Sequence, residues 1–288
     1  MMERYSYYMV DAFSSQPFQG NPVAVFLNTV SMSSHIMQKI AQEMNLSECV
    51  FVNTVNNIPS IMEPEIDVQI FTPVNELPFA GHPLIGAAFV INIEYGFNNF
   101  KFKTEQGDIQ IEVDKKEDIG YIRMLQPIPT WRPFKYSEDL KHALGISTTL
   151  LPIDTYSNGP NHTIVVCKTI DQLTKINPSF EKLRCFTDQA INCCAMERGS
   201  PQRWRNRMFS PAYGVIEDAA TGSAAGPIAI HAMRFGLIPD NSQLVIKQGV
   251  EMGRNSRMEI TIAGTPSALE RIILAGNVVL VAKGEMRI

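Results

Sequence analysis

Three places in this sequence carry side chains suited to moving protons, namely carboxylates and a histidine. Glu217 and Asp218 open a stretch of small residues that runs to residue 227, and His82 lies in a second small-residue stretch. Glu48 follows a predicted helix end, with apolar segments on both sides. A carboxylate that faces inward at such a point has a raised pKa and is suited to proton transfer. The alternative for Glu48, a solvated charge at a helix end, stays open on residue type alone.

The two small-residue stretches share one order of residue types. Residues 71–89 and 209–230 both run from a Phe-hydroxyl-Pro triplet through an acidic loop and a glycine to an apolar helix. Gly222 and Ser223 stand at the second predicted helix start, where we expect Ser223 to be the N-cap. The N–H groups of a helix start attract an anion. We therefore predict two pseudo-symmetric halves with one anion-binding site between them. The alternatives are that the small residues only permit close packing and that His82 is structural.

Several common catalytic and cofactor-binding patterns are absent from the sequence. Ser223 follows a glycine directly, so the G-x-S-x-G nucleophile elbow of serine hydrolases is not matched. No Gly-rich dinucleotide motif or P-loop occurs, and the five histidines are scattered without a metal-binding spacing. We therefore expect neither a cofactor nor a metal.

The composition is that of an ordinary globular protein with enough residues for two cores. The 288 residues carry a formal net charge of −4 and no run of Lys and Arg, which argues against a nucleic-acid partner. No apolar stretch reaches about 18 residues, so we expect no membrane span. The N-terminal residues are too polar for a signal peptide. The five cysteines lie mostly in apolar segments, which indicates reduced thiols and a cytoplasmic protein.

The elements that must position these residues are strands with a few helices among them. Apolar residues at helical spacing predict a helix from Ser33 or Ser34 to about Asn45. Short alternating or apolar runs before and after it predict strands. Apolar helices are predicted after the two small-residue stretches, over about 83–94 and from 222 to about 235.

The domain boundary is predicted where two prolines fall close together. Residues 126–131 contain both prolines and are expected to form no regular structure. The first domain then covers residues 1–127 and includes a turn-rich surface loop at 56–65. The second covers residues 128–277, and the last strand, about 278–288, can return to the first domain. Each half is mostly antiparallel β structure with one apolar helix, so the predicted fold class is α+β.

Long blocks of this sequence resemble the PhzF family of phenazine biosynthesis. Three shorter blocks, QPIPTW at 126–131, NGP at 158–160 and RMFSPAYGV at 207–215, add to the resemblance. It is specific, since the blocks keep their order along the whole chain. The long blocks are VDAF at 10–13, QGNPVAVF at 19–26, EMNLSE at 43–48, IFTPVNELPFAGHP at 70–83 and EDAATGSAAGP at 217–227.

The resemblance implies a diaminopimelate-epimerase-like fold. In that fold each of two pseudo-symmetric domains is a β-barrel around a central helix, the site lies in the cleft between them, and the chain often forms a homodimer. The implied activity is a cofactor-independent isomerisation. Its substrate is a small molecule with a carboxylate, trans-2,3-dihydro-3-hydroxyanthranilate, which is converted to an aminoketone.

The resemblance also assigns candidate residues. The family's catalytic glutamate matches Glu48, and its supporting His and Asp match His82 and Asp218. We expect these three residues to carry catalysis. The backbone N–H groups of two glycines are expected to hold the substrate carboxylate. The predicted substrate-binding residues are Ser47, Gly81, Gly222, Ser223 and Asn21.

Three rival functions remain. A racemase or epimerase of the diaminopimelate type uses one thiol in each small-residue stretch, where this chain has no cysteine. Another PhzF-like isomerase could act on a different small amino or carboxylic acid. A small-acid binding protein without turnover is the alternative outside enzymes, and the joint presence of Glu48, His82 and Asp218 argues against it.

Overall fold

The structure, a computed structural model, describes residues 3–56 and 63–288. Residues 57–62, the centre of the loop predicted at 56–65, lie outside the described residues. The chain divides into two compact units, Met1–Leu125 with Ala275–Ile288, and Gln126–Leu274. In the described part of the chain, no helix combines the length and the apolar character needed to cross a membrane.

The described residues form seventeen strands and six α-helices, with one further turn of 3-10 helix at Pro211–Tyr213. The helices are α1 (Ser34–Met44), α2 (Gly81–Tyr95), α3 (Ser137–Leu144), α4 (Ile170–Thr174), α5 (Phe180–Leu183) and α6 (Gly222–Arg234). The strands are β1 (Arg4–Ala12), β2 (Asn21–Leu27), β3 (Cys49–Asn56), β4 (Glu65–Phe71), β5 (Glu76–Leu77), β6 (Asn99–Thr104), β7 (Gly107–Lys116), β8 (Ile119–Gln126), β9 (Thr130–Pro133), β10 (Asp154–Ser157), β11 (Asn161–Val166), β12 (Ala190–Glu197), β13 (Ser200–Ser210), β14 (Val215–Asp218), β15 (Gln243–Gln248), β16 (Ser256–Thr265) and β17 (Ala268–Arg287).

Eight strands of the first unit form a closed barrel. They pair in the order β1, β2, β3, β4, β6, β7, β8 and β17, and β17 pairs again with β1. The β2–β3 and β4–β6 pairs are parallel, whereas the β1–β2, β3–β4, β6–β7, β7–β8 and β1–β17 pairs are antiparallel. Barrel closure leaves no edge on these strands.

Helix α2 is apolar on all sides because it is buried on all sides. Its residues from Gly81 to Asn92 are buried, and it contacts β1, β2, β3 and β7. A Cβ atom added to Gly86 would lie 2.3 Å from Cγ1 of Val23, so glycine permits the close approach of α2 to β2. Helix α1 instead buries one face, with Met37 and Ile40, in a cluster that includes Phe26 of β2.

The second unit carries its strands in the order β9, β10, β11, β12, β13, β15 and β16, with β14 also paired to β13. The β11–β12 and β13–β15 pairs are parallel. Residues Gly222 to Met233 of α6 are buried, and α6 contacts β11 and β16. Helices α3, α4 and α5 contribute Leu140, Leu173 and Leu183 to a separate core cluster with strand residues of this unit.

One prediction about the boundary segment is wrong. Residues 126–131 were expected to form no regular structure, but β8 ends at Gln126 and β9 begins at Thr130. Strand β9 pairs antiparallel with β10. Pro127 and Pro129 both fall between the two strands, so neither removes a donor that the sheet requires.

Candidate active site

The first unit brings two of the predicted catalytic residues together. Glu48 directly precedes β3, and His82 is the second residue of α2. Oε2 of Glu48 lies 3.2 Å from Nε2 of His82, and the two side chains are 15% and 4% exposed. That separation is within the reach of proton transfer. The Glu48 carboxylate therefore faces inward and is not a solvated charge at a helix end.

Asn21 determines which nitrogen of His82 carries the proton. It is the first residue of β2, is 1% exposed, and places its Nδ2 3.3 Å from Nδ1 of His82. An amide nitrogen only donates, so Nδ1 accepts and the neutral ring carries its proton on Nε2. Nε2 is the nitrogen next to Glu48. Asn21, which we predicted to bind substrate, thus also holds the histidine in one tautomer.

The residue after Glu48 cannot serve as a thiolate base. Cys49 is fully buried, and burial together with the negative charge of Glu48 raises the pKa of its thiol to about 12. Because the thiolate is the reactive form of cysteine, this thiol is inert near neutral pH. Ser47, on the other side of Glu48, is half-buried.

The start of α2 lies at the predicted site. Ala80 is the N-cap, and its side chain makes no capping hydrogen bond. Gly81 is the first helical residue and Pro83 the third, where proline is tolerated because the first N–H groups of a helix have no partner within it. The positive end of the α2 dipole therefore lies beside His82.

In the second unit, Asp218 and Thr221 form the corresponding cluster. Asp218 is the last residue of β14 and is 4% exposed. The Thr221 hydroxyl donates to Oδ2 of Asp218 at 2.7 Å. The expectation that Ser223 caps α6 is wrong, since the N-cap is Thr221 and Ser223 is the second helical residue. Thr221 makes no side-chain capping bond because its hydroxyl is bound to Asp218.

Two buried amides support the first turn of α6. Pro227 lies inside this helix and lacks the N–H that would bond to the carbonyl of Ser223. The Asn158 amide donates to that carbonyl at 2.9 Å, and the Gln126 amide donates to the carbonyl of Gly222 at 2.8 Å. Neither support was predicted from the sequence, although a proline five residues after a helix start indicates a carbonyl that needs another donor.

Glu217 has a role that differs from that of its neighbour Asp218. Arg207 binds both oxygens of Glu217, with N–O distances of 2.8 and 3.0 Å. The same guanidinium donates to the carbonyls of Leu173 and Ile176. Glu217 therefore neutralises the charge of a buried arginine. Asp218 instead accepts a hydrogen bond from Thr221, the N-cap of α6.

The predicted residues fall into two groups, one in each unit. The first unit holds Asn21, Ser47, Glu48, Gly81 and His82, and the second holds Asp218, Gly222 and Ser223. The prediction of a single site shared by both groups stays a prediction. A largely buried carboxylate beside a histidine can take a proton from carbon and return it.

Comparison with known proteins shows the family to which the chain belongs. The family of phenazine biosynthesis-like proteins, PhzC-PhzF, matches residues 10–284. A trans-2,3-dihydro-3-hydroxyanthranilate isomerase from Pseudomonas chlororaphis is 45% identical over 279 residues, covering 96% of this chain and 98% of that protein. The crystal structure of a PhzF-family phenazine biosynthesis protein from Bacillus anthracis has a TM-score of 0.84 and 25% identity, with all of both chains covered.

A more distant likeness concerns the fold alone. A hydroxyproline epimerase from Agrobacterium vitis has a TM-score of 0.66 at 10% identity, covering 99% of this chain and 92% of that one. The fold is epimerase-like, and the relatives of 43–45% identity show that the chain is an isomerase. The chain belongs to the PhzC-PhzF family of phenazine biosynthesis-like proteins.

Proposed function

We propose that this isomerase converts trans-2,3-dihydro-3-hydroxyanthranilate to the aminoketone that condenses towards phenazine precursors, without a cofactor. The substrate is the one named for the relative that is 45% identical along 96% of this chain. The observation that carries the proposal is the position of Glu48, a largely buried carboxylate 3.2 Å from the histidine nitrogen that holds a proton.

The proposed reaction is an internal proton transfer. The Glu48 carboxylate removes the proton at C3 of the substrate, the electron pair moves into the ring, and a proton returns at C1. The resulting enol then becomes the ketone, so atoms and electrons balance without an oxidant. A general base of this kind works best with a pKa near the working pH, which burial of a carboxyl favours.

The remaining predicted residues would bind and steady the substrate. His82 would stabilise charge on Glu48, and Asp218 would orient the substrate's amino group. The backbone N–H groups of Gly81 and Gly222 and the Ser223 hydroxyl would hold its carboxylate, since helix starts favour anions. Ser47 and Asn21 would complete the contacts in the first unit, and Asn21 would additionally keep His82 neutral.

The family resemblance also supports three proposals about the whole protein. The second unit would repeat the barrel of the first around α6. The chain would act in the cytoplasm as a homodimer, a state that light scattering can measure, and a stable monomer would exclude it.

The substitution Glu48→Gln tests the role of the base, because it keeps the shape of the side chain and removes its proton affinity. We expect kcat for loss of the dihydro substrate's absorbance to fall by at least about 100-fold, the usual contribution of a general base. Glu94→Gln is the matched control, since Glu94 accepts hydrogen bonds from Tyr8 and Lys283 at the other end of α2. It should retain wild-type turnover.

Two outcomes would overturn the proposal. Turnover by Glu48→Gln at the wild-type rate would remove the base assignment. Tight binding of the substrate by the wild-type protein without any conversion would leave the binding-protein alternative. Incorporation of solvent deuterium at the α-carbon of a free amino acid would instead favour the racemase alternative.

A further inference from the structure

The side-chain amide of Gln248 makes three of its four hydrogen bonds to the loop that carries Asp218. Gln248 ends β15 and is fully buried. Its Nε2 donates to the carbonyl of Asp218 and to Oγ1 of Thr221, both at 2.9 Å. Its Oε1 accepts from the Thr221 N–H at 3.2 Å and from Nδ2 of Asn206 at 2.9 Å. Two donors and two acceptor positions are all that such an amide offers.

These contacts determine the direction of the Thr221 hydroxyl. The Thr221 N–H only donates, so it must face Oε1 of Gln248, and this fixes the amide orientation. Nε2 then donates to the Thr221 hydroxyl, whose own proton must point elsewhere. Oδ2 of Asp218 receives it at 2.7 Å. Gln248 therefore acts on the Asp218 carboxylate through Thr221.

We propose that Gln248 is a positioning residue of the isomerase, which holds loop 218–221 in place and turns the Thr221 hydroxyl onto Asp218. The inference rests on the proposed function, in which Asp218 orients the substrate. A carboxylate that accepts one fixed hydrogen bond presents its remaining lone pairs in a fixed direction, and such pre-organisation is what catalytic geometry needs.

A chain of buried amides holds Gln248 itself. Nδ2 of Asn206 also donates to Oδ1 of Asn192 at 3.1 Å, and Nδ2 of Asn192 lies 3.4 Å from Nδ1 of His162. These three residues are at most 1% exposed and lie on β13, β12 and β11. Because burial raises the cost of breaking these hydrogen bonds, the bonded side chains resist rotation of the Gln248 amide.

The backbone next to Gln248 confirms how closely the loop is held. Gly249 has φ +72°, and a Cβ atom there would lie 2.8 Å from the carbonyl oxygen of Ala219. The Ser256 hydroxyl donates to this same carbonyl at 2.9 Å and lies 3.1 Å from the carbonyl oxygen of Gln248. The loop therefore lies directly against the end of β15.

Gln248→Met tests the inference because it keeps the length of the side chain and removes its hydrogen bonds to the loop. We expect kcat/KM to fall about tenfold or more, the effect of losing a buried hydrogen bond. In a Thr221→Val background the same substitution should cost much less, because no hydroxyl remains to be oriented. Asn92→Leu is the control, since it removes a buried amide in the first unit, bonded to Phe97 and Asn98. Its effect should add to that of Thr221→Val.

The outcomes separate this inference from the proposed function. If the wild-type protein converts the substrate and Gln248→Met leaves kcat/KM unchanged, or its effect adds fully to that of Thr221→Val, the positioning role is wrong. If the wild-type protein does not convert the substrate, the proposed function fails instead. Hydrogen exchange then still tests the loop, since Gln248→Met should speed exchange of the Thr221 amide more than Asn92→Leu does. Equal exchange in those two variants would overturn the inference.

Discussion

The proton on the His82 ring stays on Nε2 only while Asn21 presents an amide nitrogen to Nδ1. The Asn21→Asp substitution tests this at the scale of one residue. A carboxylate only accepts, so it places a proton on Nδ1 and changes the charge or the tautomer of the ring beside Glu48. We expect kcat to fall by about tenfold or more, and nitrogen chemical shifts of the ring to report the new protonation.

The control is Asn92→Asp, the same change in a buried amide near the other end of α2. It should leave the ring nitrogen shifts of His82 as in the wild-type protein. If Asn21→Asp also leaves them unchanged, Asn21 does not set the tautomer, and its place in the site is that of a substrate contact only.

The pair of Arg207 and Glu217 is a second residue-scale test, on stability. Arg207 is 7% exposed, so Glu217→Gln leaves a buried guanidinium without its counter-charge. We expect the free energy of unfolding to fall by about 3 kcal/mol, because removing one partner of a buried ion pair is costly. Urea denaturation measures this change.

An exposed ion pair provides the comparison. Lys175 and Asp171 form an (i, i+4) pair with side chains 73% and 72% exposed. The Asp171→Asn substitution should cost less than about 0.5 kcal/mol, since solvent screens such pairs. Equal losses from the two substitutions would contradict the structural role given to Glu217.

At the scale of elements, a proline inside α6 leaves one carbonyl of the first turn without a donor from the helix itself. Because Pro227 has no N–H, the Ser223 carbonyl accepts a hydrogen bond from the Asn158 amide instead. Asn158→Ala should therefore lower the free energy of unfolding by about 1–3 kcal/mol, the cost of an unpaired buried group. In a Pro227→Ala background the new N–H can bond to that carbonyl, so the same substitution should cost less. Urea denaturation of all four proteins measures the coupling, and an identical loss in both backgrounds would refute it.

The elements that local residues specify were predicted well. Helix α1 was predicted from Ser33 or Ser34 to about Asn45 and is found at Ser34–Met44. The Ser33 side chain accepts a hydrogen bond from the N–H of Ile36, and Asn45 adopts the left-handed backbone conformation of a C-cap. Both ends of α1 are therefore specified by residues next to them in the sequence. By contrast, the N-cap of α6 was predicted wrongly, because the Thr221 hydroxyl donates to Asp218, three residues before it, and Thr221 itself is the N-cap.

The same distinction applies to the site. Glu48 and His82 lie in long sequence blocks, and the structure places their side chains 3.2 Å apart, while their acid–base role stays a prediction. Gln248 lies about 30 residues beyond Asp218 in chain order, so no local pattern joins the two. A signal did exist in β15, where Leu244, Ile246 and Gln248 occupy the buried positions of the alternation. A polar residue at an inward position of a strand needs buried partners.

At the scale of the whole molecule, two buried histidines make the second unit sensitive to acid. Burial lowers the pKa of His162 to about 3. Burial and, to a smaller extent, the positive charge of Arg234 lower the pKa of His231 to about 4. Asn192 faces His162, while Tyr156 and Asp154 approach His231. In the unfolded chain both rings titrate near the ordinary value of 6.5.

The sign of the pH dependence follows from proton binding. Near pH 5 the unfolded state binds both protons and the folded state binds neither, so stability falls as the pH falls through this range. Two such groups give a slope of about 2.7 kcal/mol per pH unit. Both tryptophans of the chain, Trp131 and Trp204, lie in the second unit, so their emission reports the unfolding of that unit.

His162→Phe removes one of the two titrating rings. It should reduce the contribution of the histidines to the slope to about 1.4 kcal/mol per pH unit, measured by urea denaturation with tryptophan emission from pH 6 to pH 4. Asn158→Ala removes a buried polar group of the same unit that does not titrate, so it should lower stability equally at each pH. If His162→Phe keeps the wild-type slope, the His162 ring already binds a proton in the folded protein. That outcome would contradict the burial of this ring beside Asn192.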